Sequence, residues 1–388
     1  MKRIVICCDG TWKRMDAVCP TNVVKLAQAV VPRGRDGVAQ VVFHLDGVGT
    51  GRGTGALARG IDRAFGGMFG QGLMATLEAA YRFLIFNYAP GDAIYLFGFS
   101  RGAFTARSLA GLVRTCGVPA RAHTAMIPQA LALYEARSAD THPDAEAARQ
   151  FRARYAVEGP PGRATVEPGT TTIRYLGVWD TVGALGVPEG LAISRGVNRG
   201  LRFHDMRLSR TVLAARHAVA LDERRRVFPP ALWDNLDALN AAAGAGMPYQ
   251  QRWFPGDHGS VGGGGPVTAL SDDAALWIAK GAMQAGLCLD AAFVARLAQA
   301  CDFRASLRAS GNVRRGIADA VLEIGISDRQ GPARLCDLAP AALRRWRHDP
   351  AYRPAALKGL RSLLDGPAQD PPHRRVGQRA ARRPRLQD

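Results

Sequence analysis

Short apolar runs recur along the first half of the chain, at residues 3–8, 40–45, 93–99 and 172–177. Each is too short for a buried helix and carries β-branched or aromatic residues, which predicts strands covered on both faces. Residues 251–254 form a weaker strand candidate. Between these runs, apolar residues return at helical spacing over 22–30, 73–86 and 104–113. Residues 120–155 read as an Ala- and Arg-rich helical insertion, and 205–221 as a further helical stretch. Residues 229–247, with Pro, Gly and small side chains, read as an irregular cap; 273–286, 290–300 and, in pieces, 341–364 read as helices. Strands alternating with helices predict the α/β class, with a mostly parallel central sheet and helices on both faces.

The 388 residues, 47% of them hydrophobic, suffice for a large core. The net charge of +18 comes almost wholly from Arg. A surface so basic attracts anionic partners, but no basic run is interleaved with aromatics as single-strand binding requires. Specific nucleic-acid binding is therefore not expected. From residue 367 the composition turns to Pro and Arg, as in Pro371-Pro372-His373-Arg374-Arg375, which predicts a disordered basic tail over 367–388. The seven cysteines lack C-x-x-C spacing, so no metal site is expected, and an odd number without a framework fits a reducing compartment. Asp9 interrupts the first apolar run too early for a secretory signal, and no run could span a bilayer. The expected location is the cytoplasm of the producing cell, with any export by a specialised route.

The chemistry centres on Gly98-Phe99-Ser100-Arg101-Gly102, a G-x-S-x-G pattern. A strand candidate precedes it at once, and the helical Ala103-Phe104-Thr105-Ala106 stretch follows. That context is what a nucleophile elbow requires, with small residues two positions either side of the serine. A serine needs a base, and the hydrolase order is Ser, then acid, then His. Asp180, where a strand runs out, and His258, in a loop before a glycine run, meet that order. In this arrangement Asp180 orients His258, and His258 takes the Ser100 proton. His204 and His217 compete for the role of base; the helical pattern around His217 places it poorly. An oxyanion hole would use the N–H of Arg101, after the nucleophile, and that of Gly10 or Thr11, after the first strand.

A nucleotide site is a rival reading, because Gly51, Gly53 and Ala56 fit G-x-G-x-x-A. The next strand begins some forty residues later, too far for the ribose-binding acid of a dinucleotide fold, and no P-loop occurs. No cofactor is expected. A second class of reading keeps the fold without phospholipid chemistry: a soluble-ester hydrolase, or a non-catalytic protein holding anionic lipid or nucleic acid on its basic surface.

Several stretches together resemble the DUF2235 family, the hydrolase domain of one group of type VI secretion lipase effectors. They are Cys8-Asp9-Gly10-Thr11-Trp12, Pro20-Thr21-Asn22-Val23, the run from Gly98 to Arg107, Gly177-Val178-Trp179-Asp180-Thr181-Val182-Gly183, Ala220-Leu221-Asp222-Glu223-Arg224-Arg225 and Phe254-Pro255-Gly256-Asp257-His258. The resemblance covers about residues 3 to 290. It implies an α/β-hydrolase fold, a triad of Ser100, Asp180 and His258, and phospholipase activity on glycerophospholipids. After the histidine, this chain reads Gly259-Ser260-Val261 where the family often carries Ser-Asp-Val, so a nearby carboxylate is missing or is Asp257. The expected organisation is a catalytic domain over 1–290, a helical extension packed on it over 291–366, and the tail. The expected substrate is an ester, foremost a phospholipid, with an anionic membrane surface as the candidate partner of the tail.

Overall fold

In a computed structural model of the chain, the described residues are 1–11, 13–47, 67–136, 138–157, 170–183, 207–226, 228–244, 246–308 and 326–366. Six strands form one sheet: β1 (Arg3–Cys8), β2 (Gln40–Leu45), β3 (Ala93–Phe99), β4 (Ile173–Trp179), β5 (Ala215–Ala220) and β6 (Tyr249–Phe254). Their order is β2-β1-β3-β4-β5-β6, and all five pairings are parallel. The helices are α1 (Asn22–Ala29), α2 (Gly67–Asn87), α3 (Arg101–Cys116), α4 (Ile127–Ala136), α5 (Glu146–Tyr155), α6 (Leu236–Ala243), α7 (His258–Gly262), α8 (Ala269–Gln284), α9 (Ala291–Ala300), α10 (Pro340–His348) and α11 (Arg361–Leu364).

The two-residue period of the strands divides the core. Ile4, Ile6, Cys8, Ile94, Leu96, Leu176 and Val178 pack under α2 to α4 on one face. Val5, Cys7, Tyr95, Phe97, Phe99, Tyr175 and Trp179 pack under α1 and α8 on the other. Both faces are dry, which is why these strands read as unbroken apolar runs. Phe97 is fully buried, with ring centroids 5.8 Å from Tyr175 and 6.4 Å from Trp179. Phe97→Ala is expected to cost about 3–5 kcal/mol, read as a shift in the denaturant midpoint; a loss under about 1 kcal/mol would contradict this packing. All seven cysteines are free thiols, and burial pushes the Cys8 thiol up to about 12.

Three expectations need correction. The stretch over 205–221 is not helical where it is described: its last residues form β5, a central strand buried throughout. Ala and Arg favour a helix locally, but the slot between β4 and β6 overrides that preference. The irregular cap over 229–247 contains the helix α6. The weak strand at 251–254 begins earlier, at Tyr249, on the sheet edge. The glycine-rich stretch around Gly51, His204 and the basic tail lie outside the described residues.

Near the C-terminus, Leu338, Ala342, Trp346, Tyr352, Leu357 and Leu360 pack on Val219, Leu221 and Trp253 at the ends of β5 and β6. Leu338 also pairs with Trp253 in a parallel bridge, and the Ala339 N–H donates to Trp253 O at 2.9 Å. A parallel sheet with helices on both faces, helical insertions after β3 and helical segments late in the chain make this an α/β-hydrolase-like fold.

Candidate active site

Because every strand runs the same way, the residues that follow β1, β3, β4 and β6 emerge along one edge of the sheet. The chain steps from β1 to β2 on one side and returns to β3 on the other, and α1 and α3 lie on opposite faces. In open α/β sheets such a reversal leaves a crevice outside the strand ends, where ligands bind. Ser100 and the Gly10 loop stand at this crevice.

Ser100 joins β3 to α3 with φ 57° and ψ −123°, a conformation costly for any residue but glycine. The turn survives because its neighbours are small. A Cβ on Gly98 would lie 2.4 Å from Gly102 O, and one on Gly102 would lie 2.1 Å from Cys8 O. The Ser100 N–H donates to Trp179 O at 3.0 Å, tying the elbow to β4.

His258 opens α7, whose N-cap is Asp257. Its Nε2 lies 2.8 Å from Ser100 Oγ and its Nδ1 lies 2.6 Å from Asp180 Oδ2. An ionised carboxylate only accepts, so Nδ1 carries the proton and Nε2 is left to accept from the serine hydroxyl. All three side chains are buried, so water competes little for these bonds. Asp180, itself at φ 35°, follows β4 directly, and its N–H donates to Ala218 O at 2.7 Å. Its Oδ1 accepts from the Ala220 N–H at 2.9 Å and from Arg329 Nη1 at 2.7 Å; its Oδ2 accepts from Arg329 Nη2 at 3.0 Å. Burial alone would raise this carboxyl, but the Arg329 guanidinium and the His258 hydrogen bond outweigh burial and hold it well below the usual range.

The candidate oxyanion donors lie close by. A Cβ on Gly10 would be 3.3 Å from Ser100 Cβ, so the loop after β1 rests against Ser100. The Gly10 N–H donates to Asp9 Oδ1 at 2.7 Å, so of the two candidates it is the one already engaged. Arg101 is the first residue of α3, where a helix leaves N–H groups without an intrahelical acceptor. Thr21 holds Asp9 in place, donating its hydroxyl to Oδ2 at 2.9 Å while capping α1. Asn22, fully buried, donates to Val261 O at 2.9 Å and Ser271 O at 2.8 Å, which fastens α7 to α1.

His217 lies in β5 rather than in a helix. Burial, then the nearby Arg107, pushes its imidazole down to about 3, so it is neutral. Its Nε2 accepts from the Thr181 N–H at 3.1 Å, and its Nδ1 meets Gln251 Oε1 at 2.9 Å. Both nitrogens are used in supporting the turn that carries Asp180. Asp257 Oδ1 accepts from Ser260 N and Oγ at 2.8 and 2.9 Å, capping the helix that His258 opens.

The sequence reading missed several residues. Glu223 accepts the His258 backbone N–H at 3.2 Å and is itself paired to Arg225. Phe99 and Phe228 pack on the His258 ring, with centroids 4.6 and 4.8 Å away. Arg329 has no local signal, being one arginine in an Arg-rich chain, far from any motif. Glu223 and Arg225 lie in a stretch already singled out, but nothing in its pattern gives them a role.

Three comparisons place the chain among known proteins. An uncharacterized protein of Saccharomyces cerevisiae is 28% identical over 240 residues, which is 58% of this chain and 32% of the yeast protein. The chain thus spans about a third of the length of that relative. A solved structure of an uncharacterized protein from Pseudomonas aeruginosa is 18% identical, with a TM-score of 0.41, covering 83% of this chain and 52% of the other. The structure of the Tle1 effector bound to the VgrG spike of the type VI secretion system is 21% identical, with a TM-score of 0.39, covering 69% and 52%. The family described as the type VI secretion phospholipase effector, Tle1-like, catalytic domain matches residues 2–281, and this chain belongs to that family.

Proposed function

We propose that the protein is a serine hydrolase that cleaves the carboxylic esters of phospholipids through an acyl-enzyme. The observation that carries the reading is the unbroken chain of hydrogen bonds from Ser100 Oγ through His258 to Asp180, mounted on a strained elbow. Ser100 Oγ attacks the ester carbonyl carbon while His258 Nε2 takes its proton. The carbonyl oxygen becomes an oxyanion within reach of the Arg101 and Thr11 N–H groups, at the positive end of α3. The C–O bond then breaks, His258 returns the proton to the leaving alcohol, and the acyl group stays on Ser100. Water, deprotonated by His258, attacks the acyl carbon; the acyl–Oγ bond breaks, His258 returns the proton to Ser100 Oγ, and the acid leaves. Family membership supports the phospholipid class of substrate and export as an effector.

The direct test is lipid analysis of phospholipid vesicles incubated with wild-type and Ser100→Ala protein. Wild type is expected to release free fatty acid and lysophospholipid, and the variant neither. Equal release by both would rule out Ser100 as the nucleophile.

The same reading gives the basic tail a use, since its arginines would hold the enzyme on its anionic substrate surface. Each is worth about 1 kcal/mol near such a membrane, and the attraction is screened by salt. Co-sedimentation with anionic vesicles should weaken for a chain ending at Gly366 and at high salt. If the shortened chain sediments equally well, the folded domain is the anchor and the tail is not.

A further inference from the structure

The carboxylate that meets His258 is shared with a cation from late in the chain. Asp180 Oδ2 accepts both His258 Nδ1 at 2.6 Å and Arg329 Nη2 at 3.0 Å, while Oδ1 accepts Arg329 Nη1 at 2.7 Å. The guanidinium therefore grips both oxygens in the forked geometry that only arginine offers. A second N–H of Nη1 reaches Ala220 O at 2.8 Å and one of Nη2 reaches Phe228 O at 2.7 Å, the latter beside the ring that packs on His258, while the buried Nε meets no hydrogen-bond acceptor among the described residues. The segment that brings it is pinned to the same loop. Ile326 bridges Arg225, the Ser327 N–H donates to Arg224 O at 2.8 Å, and Asp328 pairs with Arg224 at 2.7 Å. Tyr352, further on, donates to Asp222 at 2.9 Å. Ile326, Ser327, Asp328, Arg329 and Tyr352 all lie beyond residue 281, where the family match ends.

We propose that Arg329 is a positioning residue of the catalytic site, supplied by the C-terminal part of the chain, which fixes the Asp180 carboxylate against His258 and sets the charge the imidazole meets. The proposal rests on the Ser100–Asp180–His258 reading. A fully buried carboxylate needs a counter-ion to stay ionised, and a fork leaves it one orientation. The same cation opposes the imidazolium that forms during proton transfer, because both share Oδ2. The two effects are separable. Losing the fork loosens the carboxylate and lowers the rate at every pH. Losing the charge lets the imidazole protonate more readily, which moves the acid limb of a pH–rate profile to higher pH.

Other charged and titratable groups face this pair. They are Glu223 and Arg225 from the loop after β5, Asp257 at the start of α7, His217 from β5 and Arg107 from α3. Substitution of Arg329 leaves all of them in place, so a shift of the limb reports on Arg329.

The experiment uses the full chain as wild type, Arg329→Gln, Arg329→Lys and Ser100→Ala, with the rate of fluorophosphonate labelling followed across pH and folding checked by circular dichroism. This probe needs no knowledge of the natural ester. Labelling of wild type that disappears in Ser100→Ala establishes the serine reading independently; labelling that survives in Ser100→Ala overturns that reading and the proposal together. With Ser100 established, Arg329→Gln is expected to move the acid limb up by roughly one pH unit, the lower end of the effect of a charge within 4–6 Å. Arg329→Lys is expected to keep the limb in place while its plateau rate falls about 10-fold, as loss of a ligand-orienting partner does elsewhere. An unmoved limb in folded Arg329→Gln overturns the proposal and leaves the serine reading intact. Should the Gln variant fail to fold, the Lys variant decides: a wild-type plateau overturns the proposal, and a lowered plateau with a fixed limb supports it.

Discussion

Ser100→Ala is expected to lower ester hydrolysis by about 10³-fold or more, leaving the residual rate that binding and the oxyanion donors supply. His258→Ala should cost about as much, and the double variant little more than either, because the hydroxyl and its base act as one unit. Asp180→Asn should behave differently from both. In the general triad it leaves the geometry intact and spoils the tautomer. Here Arg329 requires an acceptor on each carboxylate oxygen, and the Ala220 N–H adds a third donor. A carboxamide offers one acceptor and one donor, so one of these contacts turns repulsive whichever way it is placed. Arg329 is also left as a buried cation without its anion, an error worth about 3–5 kcal/mol. Asp180→Asn is therefore expected to lose both activity and thermal stability, whereas Ser100→Ala keeps the wild-type melting temperature. Equal melting temperatures for wild type and Asp180→Asn would refute this account of the carboxylate.

The elbow glycines carry the second large effect, and it falls on folding. Gly102→Ala would put a Cβ 2.1 Å from Cys8 O and 2.4 Å from Asp9 O, and Gly98→Ala would put one 2.4 Å from Gly102 O. The obstructing atoms are backbone, so no side-chain rotation relieves the clash. Relief requires α3 to move off the ends of β1 and β3, which would open the core beneath it and displace Ser100. A loss of roughly 3 kcal/mol or more is expected, the upper end of overpacking costs, together with loss of fluorophosphonate labelling in whatever protein still folds. Urea unfolding and labelling measured on the same samples give both quantities. A Gly102→Ala protein with wild-type midpoint and labelling would mean that α3 does not depend on this close approach.

Most of what the sequence decides lies in short segments. Residues 3–8, 40–45 and 93–99 are readable as strands because burial on both faces leaves an unbroken apolar run. The elbow is readable because its steric demands fall on residues within two positions of Ser100. Ser100, Asp180 and His258 could be proposed together from their chain order and their settings near strand ends. The tertiary structure decides whatever depends on residues distant in the chain. β5 is a strand because a slot between β4 and β6 is open to it, against the helical preference of its own residues. His217 has both ring nitrogens engaged because Thr181, in the turn after β4, and Gln251, in β6, come to it. Arg329 is the clearest case. A guanidinium can grip a carboxylate far away in the chain with no local pattern to announce it, because charge and hydrogen bonds act through space and only the fold sets the distance.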